Sequence, residues 1–335
     1  MMELDRQIIE AVLKKNNLHS LDEYKRFSSG IISRVYDLGN FVLKIEGDHE
    51  DVKGILKPQL EVMNRLAKLG ARVSKVIDYG EFMDKAYLLM EKIPGTILVY
   101  SWLNFTTKQK ENFIAQVCEQ LKIFHSIKFD TYAIPIHNSR PVRNLLETVE
   151  SLINFKRIDK SKLKQEYVED VELLEKFYLD NKHVLDEANT AVFVHSDIHL
   201  ENIFYEENRL TGIIDFDWVS QAPKDYELSK ITGFFYEPLK TVEEKLEPLY
   251  KGHRMTEEYG WLKKYYPQLF EVDNLLTRIR LFSLEDMTNT IFDYQQGRWS
   301  ENTMIGLKKS VDDYFRGGWL TEVLGLGVLL FISLR

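Results

Sequence analysis

His195-Ser196-Asp197-Ile198-His199-Leu200-Glu201-Asn202, followed by Ile213-Ile214-Asp215-Phe216-Asp217, decides how this chain reads. An Asp is followed five positions later by an Asn, and eighteen positions later by a second Asp that closes an apolar run. Strand-like stretches, Ala191–His195 and Ile203–Ile214, enclose the motif. One carboxylate beside an attacking hydroxyl, with an amide and a second carboxylate as hard oxygen ligands for Mg²⁺, is what phosphoryl transfer needs. Asp197 takes the first role, as the catalytic Asp; Asn202 and Asp215 take the metal. Any one of these alone reads as a turn Asp, a capping Asn or a solvated charge. Their order and placement at strand ends favour the site.

The same residues allow a metal-centred alternative. His195, Asp197 and His199 lie at i, i+2 and i+4, and on a continuous strand would share one face. The other six histidines, at 19, 49, 125, 137, 183 and 253, are scattered singly, which disfavours a zinc or iron hydrolase.

Toward the N-terminus the chain supplies what phosphoryl transfer asks for. Phe41-Val42-Leu43-Lys44-Ile45 reads as a strand after the Gly39-Asn40 turn, so Lys44 sits among packed apolar neighbours. Glu61, seventeen residues on, falls within an amphipathic helix expected from Leu60 to Leu69 and ended by Gly70. A Lys–Glu pair of this kind holds an ammonium on nucleotide α/β-phosphates. Ser28-Ser29-Gly30-Ile31-Ile32-Ser33 falls between strands, where Ser29 and Gly30 can meet phosphate through hydroxyl and backbone N–H groups. With one Gly it is otherwise an ordinary hairpin turn.

Residues 1–93 read as strands around one helix, and Pro94-Gly95 marks a boundary. Beyond it the texture is helical, from Lys108 to Ile127, from Val142 to about Asp186, and from about Tyr226 onward. The expected architecture is α+β: a small mixed β-sheet lobe over 1–93 that binds nucleotide, and a larger, mainly helical lobe over 94–335 for catalysis and substrate. The 335 residues, 44% hydrophobic and 12% aromatic, have the composition of a soluble globular protein. Lys and Arg number 44 against 52 Asp and Glu, and the net charge of −8 argues against a nucleic-acid partner. Residues 1–93 hold 15 basic and 15 acidic residues, so the whole excess lies in 94–335, where a cationic acceptor is favoured. The single Cys118 lies in a helical pattern as a packing residue, and a reducing cytoplasm fits it. No signal-peptide order opens the chain, and the apolar stretch 323–332 is too short to span a membrane.

In sum, the motifs resemble the aminoglycoside phosphotransferase family within the wider protein-kinase-like fold, from about Phe27 to Lys230. The landmarks are Ser29 to Tyr36, Val42-Leu43-Lys44, Leu89 to Gly95, Leu121 to Ser126, the His195–Asn202 loop and Ile213 to Asp217. The resemblance implies a bilobal fold with ATP or GTP in the cleft and its base against the backbone of Glu91 to Ile93. It implies Lys44 on phosphates, Asp197 as catalytic Asp and Asn202 and Asp215 on Mg²⁺. Ser196 stands where relatives commonly have Gly, Leu200 for Pro and Glu201 for Gly. Either Asp225 or Glu227 fills a later acidic position. The resemblance implies a small-molecule kinase acting on an aminoglycoside, or on a macrolide, choline, homoserine or methylthioribose. A pseudokinase is disfavoured because Lys44, Asp197, Asn202 and Asp215 are all present. A protein kinase is disfavoured because Ala222-Pro223-Lys224 follows only seven residues after Asp215, leaving no regulated loop.

Overall fold

The computed structural model describes residues 3–19, 24–27, 33–48, 53–186, 190–238, 242, 244–316, 319–320 and 324. Ser29 and Gly30 lie outside them, as does the apolar stretch 323–332 apart from Leu324. Contacts divide the chain into two compact units. The first takes residues 1–127, 134–140 and 197–220; the second takes 128–133, 141–196 and 221–335.

The first unit opens with helix α1 (Glu3–Lys15), then β1 (Lys25–Arg26), β2 (Ser33–Asp37), β3 (Phe41–Glu46), helix α2 (Leu56–Lys68), β4 (Val76–Phe82) and β5 (Lys85–Glu91). The five strands form one sheet in the order β1-β2-β3-β5-β4, with antiparallel neighbours. Helix α1 adds a second helix to the one expected in this stretch. Its signal is an apolar stripe at Ile8, Ile9, Val12 and Leu13, with acidic residues in the first turn and lysines in the last. That stripe packs on Tyr36, Leu43, Ile45, Tyr87 and Leu89 of the sheet. Asp5 is buried there and accepts from Arg34 Nε at 3.0 Å and Tyr36 Oη at 2.5 Å, which compensates its charge.

The unit continues through β6 (Thr96–Ile97) and helix α3 (Thr107–Phe124), begun by a Thr106–Gln109 capping box. Gly95 is there for close approach. Its φ is +98°, and a Cβ would stand 2.1 Å from the carbonyl oxygen of Tyr205. The division therefore differs from the expected boundary at 93/94. Residues 197–220, carrying the hairpin β9 (Ile203–Glu206) and β10 (Arg209–Ile213), join the first unit because β6 pairs with β9 and α3 docks on β10. Gln116 of α3 accepts from Leu210 N at 2.9 Å, and Gln120 accepts from Arg72 N at 2.7 Å. Cys118 is wholly buried on α3, and burial pushes its thiol up to about 12, as befits a packing residue.

The second unit is mainly helical. It contains β7 (Lys128–Phe129), α4 (Leu145–Leu152), α5 (Gln165–Asn181), β8 (Ala191–Val194), most of β11 (Ser220–Ala222), α6 (Lys224–Tyr236), α7 (Glu247–Tyr250), α8 (Thr256–Tyr265), α9 (Leu275–Gln295) and α10 (Glu301–Phe315). The single helical stretch expected over 142–186 is two helices, separated by 3₁₀ turns at 155–157 and 160–162. Asp159 caps the second turn through Ser161 N, a local bond that competes with helix continuation. Among the described residues no helix is long and apolar enough to cross a membrane.

Candidate active site

Strand β8 ends at Val194, and Ser196 adopts φ +68°. That left-handed residue breaks the strand, so His195, Asp197 and His199 do not share a strand face and the metal-triplet reading falls. Gly accepts this conformation freely and Ser does not, so Ser196 carries a backbone cost at the bend. Glu227 holds the bend. Its buried carboxylate accepts from His195 N at 2.7 Å and from Ser196 N at 3.1 Å. The open choice between Asp225 and Glu227 resolves into two jobs: Glu227 takes the loop backbone, and Asp225 takes Arg278.

Every other predicted side chain that the structure describes belongs to the first unit. Asn202 Nδ2 donates to both the Asp197 carbonyl and its Oδ2, each at 2.9 Å. His199 Nε2 lies 3.5 Å from the other carboxylate oxygen of Asp197 and 3.0 Å from Asn202 Nδ2. Its Nδ1 accepts from Glu201 N at 3.3 Å, so His199 caps the short turn that carries Asn202. Asp197 is therefore oriented from two sides while remaining partly exposed.

Lys44 is buried on β3, bonded to Asp217 and 3.8 Å from Asp215. Burial works against its charge, but Asp217 and Asp215 outweigh it and hold the ammonium above the ordinary lysine value. Asp215 sits at φ +65°, with its Oδ1 3.4 Å from Asp217 N. Burial first, then repulsion from Asp217, lifts its carboxyl to about 6; Lys44 pulls the other way and Asp197 adds to the push.

The helix side of the lysine's surroundings differs from expectation. Glu61 lies exposed on α2 and does not meet Lys44. Gln59 does the work on that helix: it is buried, and its Nε2 donates to Asp217 Oδ1 at 2.5 Å. The physical reason is helical phase, since two residues of an α-helix differ by about 200°. The buried stripe of α2 is Leu56, Gln59, Met63 and Leu66, and a Gln on an apolar stripe was the available signal. Glu91 N donates to Lys75 O and Lys92 N to Asn40 O, each at 2.9 Å, so the sheet fixes this backbone. Ile93 packs against Gly212, where a Cβ would come within 2.4 Å of its Cδ1.

The donor set suits Mg²⁺. No group of three or more His, Cys, Asp or Glu side chains among the described residues forms a metal cage. Mg²⁺ needs none, because it keeps several waters and takes one or two protein oxygens beside phosphate. An Asp carrying excess negative field, and an Asn whose Nδ2 is committed to Asp197 so that its oxygen is left to accept, match that demand.

No curated protein sequence matches the chain. The structure is similar to that of aminoglycoside phosphotransferase APH(4)-Ia, with a TM-score of 0.65 and 14% identity, over 97% of this chain and 99% of that one. It is also similar to the streptomycin–ATP ternary complex of APH(2")-IIa, with a TM-score of 0.63 and 20% identity over 93% and 97%. The gentamicin complex of APH(2")-IIa gives 0.61 and 18% over the same shares. These likenesses carry the fold, the α+β protein-kinase-like one expected from the sequence. The family model for phosphotransferase enzymes matches residues 23–245, two-thirds of the chain, with Lys44, Asp197, Asn202, Asp215 and Asp217 inside the match, and so the chain belongs to the phosphotransferase enzyme family.

Proposed function

We propose that this phosphotransferase moves the γ-phosphate of ATP or GTP onto a hydroxyl of an aminoglycoside. The observation that supports it most is one compact unit in which buried Lys44 and Asp217 form a charge cluster with the partly exposed Asp215, beside an Asp197 oriented by Asn202 and His199. In this reading Asp197 accepts a hydrogen bond from the acceptor hydroxyl and turns its oxygen toward the phosphorus. Loose phosphoryl transfer demands little early proton removal, so holding that angle matters more than basicity. Lys44 neutralises phosphate oxygens. Glu91 to Ile93 offer backbone to the base, and Ser29 and Gly30 lie in the segment that would cover the phosphates. Asn202 and Asp215 hold Mg²⁺, which when bound neutralises charge on the β- and γ-phosphates. In function, residues 1–93 serve as the nucleotide-binding lobe and residues 94–335, including the 197–220 stretch that packs with the first unit, as the catalytic and substrate-binding lobe, in the cytoplasm.

The cationic acceptor rests on the −8 charge carried by 94–335 and on the streptomycin and gentamicin complexes of the similar APH(2")-IIa. A macrolide, choline, homoserine or methylthioribose is the alternative acceptor, and one observation weakens the charge argument for an aminoglycoside. Lys230 lies 3.0 Å from Glu285 and 3.1 Å from Asp286, so the charge of these two acids of the helical region is already partly balanced. A coupled turnover assay with ATP and GTP, in Mg²⁺, across such acceptors tests both. Aminoglycoside-dependent turnover upholds the proposal. Turnover with another acceptor replaces the substrate, and bound nucleotide without turnover leaves a kinase of an acceptor outside the panel or a pseudokinase.

A further inference from the structure

The charged cluster at Lys44 assigns a task that the expected Lys–Glu pair leaves open. Lys44 has two carboxylates within reach, and they are unequal. Asp215 is 3.8 Å away and partly exposed, whereas Asp217 is in direct contact and buried. Asp217 is in turn fixed by Gln59, whose amide donates to the same oxygen that Lys44 meets. Donors from two elements, Lys44 on β3 and Gln59 on α2, thus converge on one carboxylate oxygen in the segment after β10. Glu61, exposed on the same helix, takes no part in it.

We infer that Asp217, held by Gln59, is the residue that positions Lys44 for nucleotide phosphates, in the place of an acidic partner on α2. This rests on the nucleotide-binding reading above. The division of labour follows from charge. A carboxylate committed to Mg²⁺ cannot also serve as the lysine's anchor, so Asp215 must be left to the metal and a second acid must hold the ammonium. Asp217 meets that need because its own orientation is set by a neutral amide, which adds no charge to compete for phosphate. Without Asp217, the carboxylate left within reach of Lys44 is Asp215, the one that would hold the metal. Asp217 is thus a positioning residue: it acts through Lys44 and touches no reacting atom.

The test compares binding of AMP-PNP with Mg²⁺ and binding of the bare nucleoside, by calorimetry, in wild type, Asp217→Asn, Asp217→Glu, Gln59→Leu and Glu61→Ala. Asp217→Asn should weaken AMP-PNP binding on the order of 30-fold, the scale of a lost buried charge-assisted bond, and leave adenosine binding within about twofold. It should also raise the Mg²⁺ concentration needed for half-maximal binding. Gln59→Leu should show the same pattern at about fivefold, as expected for one neutral donor. Asp217→Glu should restore part of the loss. A merely structural role would move adenosine and AMP-PNP together and would not be rescued by Glu. Equal AMP-PNP affinity in Asp217→Asn and wild type, or a larger loss in Glu61→Ala than in Asp217→Asn, overturns the inference and leaves the nucleotide reading standing. Failure of wild type to bind either AMP-PNP or GMP-PNP overturns both.

Discussion

Two buried ionic clusters in this molecule are built in opposite ways. In the second unit, Arg278 meets Asp225 twice, at 2.6 Å and 3.3 Å, and donates a third bond to the Val184 carbonyl at 3.1 Å. Both side chains are essentially inaccessible, at 0% and 1%. One charge faces one charge, and the cluster is closed. In the first unit, two carboxylates face the single ammonium of Lys44, and a third, Asp197, is close enough to push on Asp215. That cluster is short of positive charge: burial first, then repulsion from Asp217 and Asp197 that one Lys44 does not offset, lifts the Asp215 carboxyl to about 6. A closed cluster specifies a fold; an open one waits for a cation.

Four substitutions can break or sharpen this contrast. The largest effect is expected for Asp197→Ala. Turnover should fall by about a thousandfold while nucleotide affinity stays within a few-fold, because the carboxylate is asked to orient the acceptor rather than to bind the donor. Steady-state kinetics with a matched binding isotherm measures it, and unchanged turnover removes Asp197 from its role.

Next comes the closed cluster. Arg278→Ala strands a buried carboxylate and should cost about 3–5 kcal/mol of stability, read by chemical denaturation. Replacing both partners, as Asp225→Leu with Arg278→Met, should recover most of that loss, since no buried charge remains. If the double variant is as unstable as the single one, the cluster does more than balance its own charges.

The open cluster should respond with the opposite sign. Asp215→Asn should abolish Mg²⁺-dependent turnover and yet raise the stability of the nucleotide-free protein by about 1 kcal/mol at pH 7, a value reduced because the side chain is 41% exposed. The sign follows from linkage. The folded-state pKa lies above the ordinary value, so protonation favours the native state, fully so below the ordinary carboxylate range, and that contribution is lost as pH rises through about 6. Wild type should therefore gain thermal stability between pH 7.5 and 5 relative to Asp215→Asn. Parallel melting curves for the two across that range would contradict an electrostatic deficit at the site.

The smallest expected effect is at the bend itself. Ser196→Gly relieves a left-handed backbone while loosening the unfolded chain, for a net gain of about 0.5 kcal/mol. A loss of stability would mean that the Ser196 side chain contributes more than its backbone costs.

Much of this arrangement was open to reading in the chain. The spacing of Asp197, Asn202 and Asp215 is local, and the apolar runs Ala191–Val194 and Ile213-Ile214 that flank it mark strands, so both the motif and its strand-end position follow from neighbouring residues. Lys44 was legible because its apolar flanks mark a packed strand. Helix α1 was missed, although its apolar stripe at 8, 9, 12 and 13 was available. The break between α4 and α5 was missed because local capping at Asp159 competes with a continuing helical period.

The amino-acid sequence by itself determined the chemistry: which acids, which amide and which lysine exist, in what order, and on what kind of element. Tertiary structure alone decided the pairing. Lys44 and Asp217 are 173 residues apart, and Gln59 and Asp217 are 158 apart. Helical phase puts Gln59 inside and Glu61 outside, but only the packed sheet and helix show which acid that inward face meets. Spacing along a chain fixes contacts one or two turns away. Contacts at longer separation depend on how buried faces are satisfied, and a single buried ammonium takes the carboxylate that packing and a neighbouring amide hold still.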